Sequence, residues 1–99
     1  MEYVKYIWIH NFEDEPILIY SELDKERNET RKVEFYKNGK TGCATDRMKH
    51  HTFLGLEPMP SIEQINEFEE FFAIPISNEE FEIVWKENAQ KIIEKVHQE

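Results

Sequence analysis

The chain has 99 residues, of which 39% are hydrophobic, 13% aromatic and 33% charged, and its formal net charge is −9. This size and composition predict one globular domain that needs no disulfide or metal support, since Cys43 is the single cysteine. No apolar run approaches the roughly 20 residues that span a bilayer, and the N-terminus resembles no secretory signal, so we expect a cytoplasmic protein.

The first half of the sequence (1–48) predicts a four-stranded antiparallel meander. Its apolar runs are rich in β-branched and aromatic residues and are separated by short polar gaps. The predicted strands are 3–10, 16–23, 29–37 and a fourth that follows residue 39. The pair Asn38-Gly39 favours a two-residue type I′ turn, which makes strands three and four a hairpin.

The second half (61–99) predicts two helices, which a crossover at 49–60 joins to the strands. Ser61 with Gln64 forms a capping-box pattern, and the first helix is expected to continue to Phe72. A second box, Ser77 with Glu80, opens the other helix.

The second helix carries its apolar side chains at helical spacing. The predicted buried stripe is Phe81, Val84, Trp85, Asn88, Ile92 and Val96. We therefore expect one α+β domain over 1–99, a four-stranded antiparallel meander sheet followed by two helices packed on it.

Closing the predicted hairpins symmetrically gives a provisional register. Trp8 then lies near Leu18, and Glu22, Arg31 and Asp46 form a row across strands two to four. The opposite face carries four isoleucines together, Ile7, Ile9, Ile17 and Ile19. An apolar face of this kind needs a cover, either a helix or a partner such as a second copy of the chain. A slip of one residue would move each of these side chains to the other face.

Several polar residues are candidates for a site, and each has a structural alternative. His10 would need a carboxylate or nucleophile within reach to act as a base, and otherwise it ties a loop to the core edge. The row Glu22, Arg31 and Asp46 holds register through charge-assisted hydrogen bonds, or it joins His10 and Glu34 in a small enzyme or ligand site.

No catalytic residue, metal or cofactor is predicted. His50 and His51 are adjacent in a predicted strand, where neighbours point to opposite faces, and they lack partners at metal-ligand spacing. Cys43 lies between Gly42 and Ala44 and is expected to be a small packing residue.

The negative charge is concentrated in the second half. Residues 1–49 hold 9 Lys and Arg against 10 Asp and Glu, whereas residues 50–99 hold 3 against 11. Such a field repels nucleic acid and attracts a basic protein partner, so we expect no nucleic-acid or membrane binding. The predicted contact residues are Glu13, Asp14, Glu15, Glu63, Glu67, Glu70, Glu79 and Glu82.

The stretch 8–44 resembles a family of small bacterial domains of uncharacterised function. The shared residues are Trp8, His10, Glu15, Pro16, Tyr20, Ser21, Glu22, Arg27, Arg31, Lys32, Val33, Glu34 and Gly39. The similarity extends more weakly to 54–66 and 76–85, and it implies no reaction or ligand.

In size, acidity and lack of catalytic motifs the chain is also similar to immunity proteins of bacterial toxin systems, including contact-dependent growth inhibition. That similarity implies a cytoplasmic protein that binds a basic toxin domain, in the first place a nuclease, and blocks it. We therefore hypothesise a toxin-neutralising immunity protein. A small enzyme or ligand-binding domain is the alternative.

Overall fold

The computed structural model describes residues 1–97, which form a six-stranded antiparallel sheet with helical segments on both faces. The strands are β1 (Glu2–Trp8), β2 (Pro16–Leu23), β3 (Glu29–Tyr36), β4 (Thr41–Thr45), β5 (Lys49–His50) and β6 (Phe71–Pro75). The helical segments are α1 (Ile62–Ile65), α2 (Asn78–Val84), a π-helical segment (Trp85–Gln90) and α3 (Lys91–His97). The last three are consecutive and together are called the C-terminal helix.

The order of strands across the sheet is β5-β4-β3-β2-β1-β6. The α+β class is confirmed, and β1 to β4 form the predicted meander. The sheet nevertheless has six strands rather than four, because β5 and β6 extend it at its two edges. Within residues 1–97, none of the helices combines the length and apolar character needed to cross a membrane.

The predicted first helix is wrong beyond its first turn. The capping box forms, with Gln64 N–H donating to Ser61 Oγ (3.1 Å) and Ser61 N–H donating to Gln64 Oε1 (3.0 Å). However, α1 ends at Ile65, and residues 71–75 pair with β1 as strand β6. Aromatic and β-branched residues suit a strand, and pairing with β1 overrides the helical pattern.

The register between β2 and β3 is the predicted one, with Tyr20 opposite Val33. Between β3 and β4 the prediction is wrong by one residue, since Val33 lies opposite Cys43. The turn holds three residues instead of two: Gly39 N–H donates to Tyr36 O (3.0 Å), and Gly39 adopts φ 87°. This is a type I turn completed by a left-handed glycine, and its odd length changes the register.

The β1–β2 register is also shifted by one residue, with Tyr6 opposite Ile19 and Ile7 opposite Leu18. The connecting loop closes asymmetrically, because the His10 ring bonds Pro16 O at 2.8 Å. Ile7 therefore shares a face with Leu18, and Ile19 lies on the other face, 2% exposed. The predicted face of four isoleucines, and with it the proposed dimer surface, does not exist as one surface.

The C-terminal helix covers one face of the sheet, called the helix face. Phe81, Trp85 and Ala89 are buried there against Tyr20 and the other core residues of β3 and β4. Ser77 caps the helix by accepting from Glu80 N–H (3.1 Å).

The predicted stripe of this helix is confirmed at Phe81 and Trp85, which are buried, and Val84 and Ile92 pack against the same core while partly exposed. Asn88 is half-buried, and its amide donates to Val84 O (2.9 Å) inside the π-helical segment. The wider π turn places Ala89 in the buried position instead. The side chain of Val96 lies outside the described residues.

The other face, called the crossover face, is covered in part by α1 and by residues 49–60. Val4, Leu23, Ile65 and Ala73 form its core. Arg27 fastens the crossover, because its guanidinium donates to Met59 O (3.0 Å) and Pro60 O (2.8 Å). The remainder of this face is open.

The outer edge of β6 is closed by the side chain of Asn66. Its amide donates to Ala73 O (3.0 Å), and its Oδ1 accepts from Ala73 N–H (2.6 Å). Phe71 N–H donates to Phe68 O (3.1 Å), and Pro75 has no N–H to offer. These contacts protect an edge strand from pairing with another chain.

We expect Asn66→Ala to lower the free energy of unfolding by about 1–2 kcal/mol, because both Ala73 groups lose their partner. The opened edge should also cause self-association that grows with protein concentration. Urea denaturation and light scattering measure the two effects, and the exposed Asn11→Ala is the control. A variant that stays monomeric at high concentration would contradict the proposed role of Asn66.

Candidate functional site

Arg31 forms a charged cluster on the helix face. Its Nε and Nη2 atoms donate to the two oxygens of Glu22 at 2.9 and 2.6 Å, and Nη2 also bonds Glu82 of α2. The guanidinium carbon lies 4.9 Å from the ring centres of Phe81 and Trp85. The hydrogen bonds from Arg31 lower the pKa of Glu22 below its ordinary value.

The predicted row of Glu22, Arg31 and Asp46 is therefore wrong at one member, Asp46. Because the β3–β4 register is shifted, Arg31 lies opposite Thr45 and not Asp46, and Glu82 supplies the second carboxylate. Glu82 was predicted to contact a partner, but it is occupied in this ion pair. The cluster ties the C-terminal helix to the sheet.

His10 uses both ring nitrogens inside the chain. Phe12 N–H donates to Nδ1 (3.0 Å), so Nε2 carries the proton and donates to Pro16 O (2.8 Å). The ring also lies 4.3 Å from the Trp8 ring. With both nitrogens engaged, His10 orders the loop at 11–15 and has no free lone pair for base catalysis.

The other candidates for chemistry are also accounted for. Cys43 is fully buried, and burial raises the pKa of its thiol to about 11, so it stays protonated at neutral pH. The imidazoles of His50 and His51 lie 4.2 Å apart rather than on opposite faces, because His51 leaves the strand at φ 61°. Among residues 1–97, no three His, Cys, Asp or Glu side chains cluster to hold a metal ion.

The crossover face contains a second, more buried row of charges. Lys32 Nζ donates to Phe53 O (2.9 Å) and lies 2.9 Å from Glu29 Oε1. Glu29 also accepts from Ser21 Oγ (2.8 Å) and Gly55 N–H (2.6 Å). A Cβ atom at position 55 would lie 3.0 Å from Glu29 Oε1, the oxygen that the Gly55 N–H bonds. The absence of a side chain at Gly55 therefore permits this close approach.

Glu34 completes the row and is 7% exposed. Its Oε2 lies 3.9 Å from Lys32 Nζ, beyond hydrogen-bond distance. Its Oε1 lies 3.2 Å from the hydroxyl of Tyr36, which also lies 3.0 Å from His51 O. One hydroxyl proton serves one of these two acceptors at a time. Burial and the charge of Glu34 raise the pKa of Tyr36 to about 12, so the proton stays on at neutral pH.

Lys32 and Glu34 of this row form the floor of an open cavity of about 570 Å³, a volume typical of small-ligand sites. The lining residues are Tyr6, Trp8, Asp14, Glu15, Pro16, Ile19, Lys32, Glu34, Tyr36, Lys49, His51, Thr52, Phe53, Gly55 and Phe71. The aromatic side chains of β1 and β6 form a wall at one end, and Lys49 and His51 lie toward the other. The shifted β1–β2 register brings Tyr6 and Trp8 to this face, which sequence reasoning placed on the opposite side.

The alternative site of His10, Glu22, Arg31 and Glu34 does not come together. Glu22 and Arg31 lie on the helix face under Phe81, whereas Glu34 lies in the cavity on the crossover face. The sequence does carry one signal for the cavity, since Lys32, Glu34 and Tyr36 alternate along β3 and so share a face.

The predicted acidic contacts lie in two places. Glu13, Asp14 and Glu15 are exposed in the loop after β1, and the last two line the cavity. Glu63 of α1, Glu67 and Glu70 of the following segment, and Glu79 of α2 are exposed.

Exposed apolar residues accompany the acids around β6. Phe68, Phe72 and Ile74 are 58%, 55% and 37% exposed, and Phe72 lies opposite Ile7 of β1. Phe72 and Ile74 share a face of the sheet with Ile7, whereas Phe68 lies beside Phe71 (ring centres 6.5 Å apart) on the crossover face. We call Phe72 and Ile74, together with the exposed Glu67, Glu69 and Glu70 that precede them in the chain, the β6 surface. Sequence reasoning missed Phe72 because it assigned that residue to a helix, and it made no assignment for Ile74.

A family model described as Domain of unknown function (DUF6881) matches residues 2–90. This match agrees with the resemblance to an uncharacterised domain family and carries no link to toxin immunity. No curated protein and no solved structure shows a significant match to the chain.

Proposed function

The chain belongs to this family of unknown function, and from its surface we propose that it is a toxin-neutralising immunity protein of the cytoplasm. It binds a basic toxin domain, in the first place a nuclease, and blocks it. The observation that carries the proposal is the β6 surface, where exposed apolar side chains lie among acidic ones.

The apolar members of the β6 surface supply affinity. Phe72 is more than half exposed and forms an apolar patch with Ile74 and Ile7, a feature that marks protein interaction sites. Buried aromatic anchors carry most of the binding energy in protein interfaces. Ile7, 39% exposed and opposite Phe72, extends the apolar area onto β1.

The acidic members define the charge of the partner. Glu67, Glu69 and Glu70 are exposed, and the sequence has no Lys or Arg between Lys49 and Lys86 to neutralise them. This field speeds the encounter with a basic surface and disfavours nucleic acid. A nuclease has such a basic surface where it holds the phosphate backbone.

The mode of docking follows from the closed edge of β6. Asn66 occupies both backbone groups of Ala73, so a partner strand has no free ladder to join. The proposed contact therefore uses side chains rather than strand addition.

The proposal is tested by co-expressing the chain with the toxin gene beside it and measuring survival and complex formation. We expect Phe72→Ala to raise the Kd roughly 30-fold, which corresponds to a loss of about 2 kcal/mol of binding free energy, since it removes a central aromatic anchor. Phe53→Ala, an equally exposed phenylalanine on the crossover, is the matched control.

The charges are tested with a triple variant, Glu67→Gln/Glu69→Gln/Glu70→Gln. It should slow association by about tenfold at low salt, with a smaller effect at high salt. The control neutralises three exposed glutamates elsewhere, Glu26, Glu87 and Glu94. Absence of both rescue and complex with any neighbouring gene product would refute the function, and equal effects of the two triple variants would refute the surface.

A further inference from the structure

The cavity on the crossover face is lined by a largely buried carboxylate, Glu34, whose Oε2 has no hydrogen-bond donor among the described residues. We propose that this cavity binds a small organic cation, an ammonium or guanidinium group on a short apolar stem, with Glu34 as its anionic anchor. The site is separate from the β6 surface and independent of the proposed toxin partner.

Glu34 has unused acceptor capacity. An ionised carboxylate has about four lone-pair sites. In the part of the chain that the structure describes, its one hydrogen-bond donor is the Tyr36 hydroxyl, which is shared with His51 O. A ligand N–H would satisfy the carboxylate and release that hydroxyl to the carbonyl.

The charge of the floor favours a cation over an anion. Lys32 is already neutralised by Glu29 at 2.9 Å and donates to Phe53 O at the same distance. The row Glu29, Lys32 and Glu34 therefore carries one net negative charge, and Asp14 and Glu15 add two more at the loop side. Lys49 lies at the far end as an exposed side chain.

The wall of the cavity suits the rest of such a ligand. The rings of Trp8 and Phe71 are stacked with centres 5.5 Å apart, and Tyr6 lies beside Phe71 at 6.5 Å. Aromatic faces attract organic cations and cover an alkyl stem. The volume of about 570 Å³ holds a group of this size.

The cation could be a free small molecule or the side chain of an arginine or lysine in a protein. Both sources present the same chemistry to Glu34. A test needs to distinguish them as well as to detect binding.

Amide and indole NMR shifts of the full chain provide the readout, with n-butylguanidinium and n-butylammonium as probes. We expect saturable shifts of the Trp8 indole and the Gly55 amide, while the Trp85 indole on the helix face stays in place. The neutral n-butylurea and the anion butyrate should bind at least tenfold more weakly.

Glu34→Gln keeps the shape of the side chain, removes its charge and should weaken cation binding tenfold or more. The exposed Glu26→Gln is its control. Tyr36→Phe removes the competing hydroxyl and should retain binding, and the Trp85 indole reports that each variant is folded. A capped Gly-Arg-Gly peptide that binds as tightly as butylguanidinium would identify a protein side chain as the ligand. A peptide that fails to bind while butylguanidinium binds would identify a free small molecule.

Three results would overturn the proposal: no shift at Trp8 with either cation, equal shifts with butylurea or butyrate, or unchanged affinity in folded Glu34→Gln.

Discussion

Replacing Arg31 with alanine is expected to lower the free energy of unfolding by about 3 kcal/mol. The side chain of Glu22 is 9% exposed and would lose both of its bonds to the guanidinium. A buried carboxylate without its partner carries the desolvation cost alone. Phe81 and Trp85 would also lose the guanidinium that lies over their rings.

Urea denaturation followed by circular dichroism measures this loss. Arg47→Ala removes an arginine that is exposed in the turn after β4, and it should change stability by no more than about 0.5 kcal/mol. A loss below about 1 kcal/mol in Arg31→Ala would show that water replaces the guanidinium and that the cluster adds little to stability.

The same cluster makes stability depend on pH. Because the pKa of Glu22 is lowered in the folded state, its contribution is present above the unfolded pKa and is lost as pH falls through the folded pKa. Acid unfolding of the wild type should therefore include a component that Arg31→Ala lacks. Parallel pH slopes of stability for the two proteins below pH 5 would contradict this.

Replacing Lys32 with methionine is expected to cost about 3–5 kcal/mol, the largest effect predicted for this chain. Methionine fills a similar volume, so the loss reports the charge and its hydrogen bonds rather than a cavity. Glu29 and Glu34 would remain buried on the same face with no cation between them.

A second substitution tests this explanation. Adding Glu34→Gln to Lys32→Met should restore part of the lost stability, because one uncompensated charge is removed. The exposed Lys37→Met should be nearly neutral. Additive losses in the double variant would show that the two side chains do not interact.

The sequence was sufficient for the elements whose patterns are local. The β2–β3 register was predicted because symmetric closure of the loop at 24–28 places Glu22 opposite Arg31, as the structure has it. The capping boxes were predicted because their partners are three residues apart. Both kinds of signal depend on nearby residues alone.

The remaining features depend on contacts between distant residues. Phe71 and Phe72 fit a helical spacing, and pairing with β1, more than sixty residues earlier, makes them a strand. The salt bridge from Arg31 to Glu82 likewise joins β3 to the C-terminal helix. Sequence reasoning missed the cavity because the β1–β2 register differs by one residue from the predicted register. That shift places Trp8 and Tyr6 on the other face of the sheet.

The adjacent residues Arg31 and Lys32 point to opposite faces of β3, and each ends in its own ion cluster. A hairpin slipped by one residue would move Arg31 away from the two oxygens of Glu22 and move Glu29 away from Ser21 Oγ. The ion pairs of Lys32 with Glu29 and Glu34 lie within β3 and would move with that strand. The charge-based preference for the native β2–β3 register therefore comes from the cross-strand contacts of Glu22 with Arg31. The pair Glu22–Arg31 thus favours one alignment of β2 with β3 over its neighbours, while Lys32 neutralises the carboxylates of its own strand whatever that alignment is.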